Sequence, residues 1–197
     1  MDFSNIFYDN INNNKNKNNT TDWNTNCLSK KINSSPTNGY EPEWDTNKWT
    51  INKKFNNCYA YSVNDHNPSQ EERNRKSIPG PDQSVYNCLN VVNGLFNDIP
   101  GIYPTRFECQ CNPGHAKIFS AVSKDDNSGN DTNDFHFWRL DSDGLWSHKI
   151  GTHLPSRLDA SNNNIQNPEL SDRKFQSHDY SESCGFFCVP LTKKVID

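Results

Sequence analysis

Asp134-Phe-His-Phe-Trp-Arg-Leu-Asp-Ser-Asp-Gly-Leu-Trp-Ser-His-Lys-Ile150 is the stretch that decides the fold class. Its two aromatic-rich arms, 135–140 and 145–150, read as strands, and Asp141-Ser-Asp-Gly144 between them is a hairpin signal. Asp tolerates, and Gly favours, the positive φ that such turns need. Register then decides the chemistry. A three-residue loop at 142–144 pairs His148 with Trp138 and places it on the face of His136, whereas a two-residue loop does not.

Working outward, residues 116–122 predict a further strand of the same antiparallel sheet, and Gly185-Phe-Phe-Cys-Val-Pro-Leu191 suits a closing strand. Upstream, Asn56-Asn57-Cys58-Tyr59-Ala60-Tyr61 reads as a helix start, with Asn as cap and Cys58 in the first turn. Between residues 83 and 97, Val85, Leu89, Val92 and Phe96 recur at helical spacing, with Gly94 as the weak point. The expectation is an α+β fold: four to five antiparallel strands with two main helices packed on them. Residues 1–38 form a polar, Asn-rich arm, and 39–197 a single domain. The segment Tyr40 to Trp49, with Pro42, Trp44 and Trp49, is expected to drape its rings over the domain surface. Residues 65–82, rich in Pro and Gly, are expected to be an irregular flap, and 151–180 to be irregular as well.

Composition narrows the function classes. Hydrophobic residues are 31% of the 197, but five Trp, seven Tyr and eleven Phe supply large apolar faces, so the core is expected to be aromatic. With a net charge of -4 the chain has no basic surplus for a phosphate backbone, which argues against nucleic acid as partner. No apolar run is long enough to span a bilayer, and residues 1–19 lack the order of a signal peptide. The expectation is a non-secreted, cytoplasmic protein without a membrane partner.

Seven cysteines, at 27, 58, 88, 109, 111, 184 and 188, are an odd number, which argues against a pure disulfide framework and leaves at least one thiol free. Cys58, at a helix start, feels the positive end of the backbone dipole and is the candidate nucleophile; the alternative is a buried structural cysteine. A thiolate needs a neighbouring base, and the base an orienting group. His136, His148 and His115, all on predicted strands, are the candidates, while His66, His153 and His178 lie in polar segments and take no role. His136 is expected to project from the sheet onto the helix that carries Cys58. Cys109, Cys111, Cys184 and Cys188 are a possible zinc set, but their one-residue and three-residue gaps depart from zinc-knuckle spacing, so disulfides or buried thiols are preferred and no cofactor is expected.

A helix-borne cysteine followed by strand-borne histidines resembles the chain order of papain-like cysteine hydrolases of the cell-wall amidase kind. Gly114-His115-Ala-Lys-Ile-Phe119 looks like the strand opening that carries their base. That resemblance implies His115 as base and His136 as orienter. Tyr59, where those enzymes commonly have a small residue, departs from the pattern at the oxyanion pocket. A longer resemblance, on Tyr40-Glu-Pro-Glu-Trp44, Asn57-Cys-Tyr-Ala-Tyr61, 134–139, 141–149 and Cys184-Gly-Phe-Phe-Cys-Val-Pro190, is to a family of large DNA viruses and some bacteria. It implies a shared fold and a viral or microbial source, carries no activity of its own, and moves the preferred base to His136 with His148 nearby and His115 as rival. The leading expectation is a hydrolase of peptides or other amides. The alternative is a non-catalytic structural protein, such as a virion component whose N-terminal arm grips a protein partner.

Overall fold

A computed structural model describes residues 27–28, 33–50, 54, 56–66, 77–81, 85–123, 133–175 and 178–191. Most of the expected arm, and residues 67–76 and 82 of the expected flap, lie outside the described residues. Five strands form one antiparallel sheet: β1 (Tyr103–Thr105), β2 (His115–Val122), β3 (Phe135–Leu140), β4 (Trp146–His148) and β5 (Glu182–Pro190). Their order across the sheet is β1-β5-β2-β3-β4, so the closing strand inserts beside β2. The α+β architecture is as the sequence implies. The added element is β1, whose Pro104 cannot donate to a ladder and therefore suits only an edge strand.

Two helices lie on one face, α1 (Cys58–Ser62) and α2 (Cys88–Asp98). Their apolar side chains join Ile118, Val122, Phe135, Phe137, Phe187 and Val189 in one core. The face of α2 differs from the expected one. Cys88, Val91, Val92 and Leu95 are buried, at i, i+3, i+4 and i+7, while Val85, Leu89 and Phe96 are exposed. Gly94 is not a weak point but a contact: a Cβ there would lie 2.4 Å from the Pro79 carbonyl carbon and oxygen.

The other face buries Phe119, Trp138, Leu140, Trp146 and Phe186 beneath the irregular segment 151–180, which contributes Ile165 and Tyr180. Trp49 is not draped on the surface. It is buried edge-on against Tyr61, with centroids 4.7 Å apart, and the Arg139 guanidinium packs against both rings, 5.7 Å and 4.1 Å from their centroids, while pairing with Asp141 at 3.0 Å.

Three disulfides staple the domain: Cys27–Cys109, Cys88–Cys184 and Cys111–Cys188. The zinc set is thereby consumed, all four members being half of a disulfide. The described part of the N-terminal arm grips its own domain. Besides the disulfide at Cys27, Asn38 Nδ2 donates to the carbonyls of Cys111 and His115 at 3.1 and 2.8 Å, and buried Lys117 donates to Ser35 Oγ at 2.6 Å. Among the described residues no helix is long and apolar enough to cross a membrane.

Candidate active site

Cys58 is the cysteine outside the disulfides, the other six being paired. It is the first residue of α1, and the cap is Asn57, whose Oδ1 accepts from the amides of Tyr59 at 3.1 Å and Ala60 at 3.2 Å. Asn57 Nδ2 in turn donates to the Ser77 carbonyl at 2.6 Å, which fixes the turn. The cap has a chemical consequence. The Tyr59 and Ala60 amides are committed to Asn57 and so are not available as donors of an oxyanion pocket. Tyr59 does not crowd the site: its ring packs on Phe137 and its hydroxyl donates to Asp98 at 2.9 Å, away from the cavity.

The hairpin has the three-residue loop. Asp141 N donates to the Leu145 carbonyl, Gly144 turns with φ +84°, and the ladder pairs Trp138 with His148. Because β4 pairs only with Trp138, Arg139 and Leu140, the Phe135 end of β3 runs past the last rung. Cys58 docks at that edge, its thiol 3.7 Å from the Phe135 carbonyl. His136 therefore does not project onto the helix. Its side chain lies on the opposite face with Trp138 and Leu140, and the sulfur and the imidazole reach one cavity around the strand edge. That cavity, of about 170 Å³, is lined by Asn57, Cys58, Asp134, His136, Ile150, Gly151, Phe175, His178 and Tyr180.

Proton positions follow from the partners. His148 Nε2 lies 3.0 Å from the Leu158 carbonyl, which can only accept, so Nε2 carries hydrogen. Burial pushes His148 down to about 4, so at neutral pH the ring is uncharged and Nδ1 holds a lone pair. His136 Nε2, 2.8 Å from that Nδ1, must therefore be the donor. Neutral His136 is thus fixed as the Nε2–H tautomer, with Nδ1 as its basic nitrogen, and the same hydrogen bond survives when His136 becomes imidazolium. Rings lock the pair in place: Trp138 stacks on His148 at 5.9 Å, and Tyr180 stacks on His136 at 4.9 Å. Tyr180 also donates to Asp134 Oδ2 at 2.8 Å; burial first, then the charges of Asp134 and Cys58, hold it as a neutral phenol.

His115 stands apart. It opens β2 opposite Pro190, whereas Ala121, at the far end of β2, is the residue opposite His136. Six residues of strand separate the two, about 20 Å at roughly 3.3 Å per residue. Its ring packs on Tyr103, and the structure does not bring it to Cys58.

Residues that carry no local signal also meet here. His178 and Tyr180 come from the irregular segment, where nothing in the pattern indicates direction, and His178 stacks on Tyr180. Lys149 is fully buried; its Nζ donates to the Gly151 carbonyl at 2.5 Å and to the Asn56 carbonyl. Strand alternation was the available signal, since a residue after His148 points to the other face, but a lysine does not advertise burial. No family model matches the chain, and neither a curated protein nor a solved structure matches it.

Proposed function

We propose that this protein is a cysteine hydrolase acting on amides or esters, with Cys58 as nucleophile, His136 as the base and His148 as its orienter. The observation that carries the reading is one cavity walled by the Cys58 thiol and by an imidazole whose tautomer a second histidine fixes. In this scheme the Cys58 proton passes first to His136 Nδ1, and the resulting thiolate attacks the carbonyl carbon of the substrate, whose π electrons move onto oxygen. A backbone N–H of the turn that carries Cys58 donates to that oxygen. Collapse of the adduct expels the amine or alcohol, which takes the proton back from His136, and leaves a thioester. A water then attacks the thioester, passing its proton to His136, and expels the thiolate with release of a carboxylic acid. His148 contributes a neutral acceptor where other triads place a carboxylate, which holds the ring without binding the proton as tightly.

The test is the reaction with p-nitrophenyl acetate. A burst of p-nitrophenol with one acetyl group on Cys58, found by mass spectrometry of the non-reduced protein, is the expected result, and Cys58→Ala abolishes it. An equal burst in Cys58→Ala, or acetylation elsewhere, removes the reading.

A further inference from the structure

We propose that Lys149 is a positioning residue of this site, its buried ammonium clamping the turn that carries Cys58 to the cavity wall and holding the sulfur as thiolate. This rests on the reading of Cys58 as nucleophile. The geometry lies in one short strand. Ser147 points to the helix face, where its hydroxyl meets Tyr61 at 2.6 Å, and Lys149 follows it by alternation, while His148 points to the opposite face and holds His136. Two consecutive residues thus serve the two halves of the site from the two sides of the sheet. Lys149 Nζ spans the Asn56 carbonyl, two residues before Cys58, and the carbonyl of Gly151, which lines the cavity.

These two carbonyl acceptors stabilise an ammonium only as dipoles. A buried positive charge held this way gains from an anion nearby; Cys58 follows by two residues the Asn56 carbonyl that Nζ holds, and as thiolate it raises the proton affinity of Lys149 against the burial that brings the lysine down to about 8. The other groups facing Cys58 divide. His136 supports the thiolate once protonated; Asp134 opposes it, with its carboxylate tied to Tyr180, which remains a neutral phenol; and His178 closes the wall. The Phe135 carbonyl favours the thiol, but a sulfur contact of 3.7 Å is a weak hydrogen bond and yields to a charge–charge interaction in a buried setting.

The experiment measures the rate of Cys58 alkylation by iodoacetamide against pH in the intact, disulfide-bonded protein, for wild type, Lys149→Arg and Lys149→Met. The expected wild-type midpoint lies below the ordinary thiol value of about 8.5, and Lys149→Met moves it upward and slows labelling at about pH 6.5 by tenfold or more, while Lys149→Arg keeps most of the wild-type rate. A midpoint in Lys149→Met equal to wild type overturns the proposal. Should Lys149→Met fail to fold, the reciprocal measurement decides: the lysine must titrate lower in Cys58→Ala than in wild type, followed by nitrogen NMR of Nζ, and an unchanged titration overturns it. A low, Lys149-dependent midpoint without any turnover of esters or amides would remove the hydrolase reading and leave this one standing.

Discussion

His148 is the residue on which the chemistry of the pair turns. It is buried and held down to about 4, so its neutral form is what the fold stabilises. Between about 6.5 and about 4 the unfolded chain binds more protons than the native one, and stability therefore falls as pH is lowered through that window, by roughly 3 kcal/mol in all. Urea melts at stepped pH should show this loss; His148→Asn should remove the share due to His148 and leave that of His66, which burial also holds down to about 4. His148→Ala removes the lone pair that fixes His136 and is expected to lower ester turnover by about 100-fold or more with the fold intact, whereas His148→Asn, whose Oδ1 can still accept from His136, should lose less. A rise in KM alone, with kcat unchanged, would speak against an orienting role. Half of this pair could be read in advance. The spacing of His136, the Asp-Ser-Asp-Gly turn and His148 contained the register once the loop length was chosen. The direction of the imidazole was not legible, because alternation fixes which face a side chain takes but not where a neighbouring helix ends. Lys149 escaped for a related reason: its burial is produced by the Asn56 and Gly151 carbonyls, which are far apart in sequence from each other.

At the scale of elements, α2 shows how a helical pattern can be seen and its face misjudged. Two stripes compete along it, and the disulfide at Cys88 together with Val91, Val92 and Leu95 wins because Cys184 on β5 draws that side inward. Tertiary context of this kind is not present in local periodicity. Gly94 gives a direct test. On propensity alone Gly94→Ala would gain up to about 1 kcal/mol in a helix. The new methyl, however, meets the Pro79 backbone at 2.4 Å, a group that cannot rotate aside. The expected outcome is a net loss of about 1–3 kcal/mol in thermal or urea unfolding; a stabilised variant would mean that the 77–81 segment does not pack on α2. The short helix α1 depends in the same way on its cap, whose single Oδ1 serves two amides. Asn57→Ala should therefore both destabilise the protein by about 1 kcal/mol and disorder the position of Cys58, a joint effect that a remote surface cap would not produce.

For the whole molecule, the odd cysteine count carries the separation between framework and chemistry. Six cysteines close disulfides across 77, 82 and 96 residues of chain, and the seventh is left at the cavity. Cross-links over such spans constrain the unfolded chain strongly, so removing a pair, for instance Cys111 and Cys188 to Ser, is expected to cost about 2–4 kcal/mol. Denaturation without reductant should leave one alkylatable thiol per chain. The odd number was thus legible as an unbridged thiol, while the pairing was not, since three disulfides bring together residues that only the finished sheet makes neighbours. Hydrolysis by Cys58 requires it to share with His136 a cavity that small molecules reach. Its most direct test is the rate of Cys58 carbamidomethylation at neutral pH in the native protein, in His136→Ala, and in wild type unfolded in urea with its disulfides intact. Native labelling is expected to be at least about tenfold faster than in the unfolded chain, with a fall toward the unfolded rate in His136→Ala. Native labelling slower than unfolded, and indifferent to His136, would contradict it.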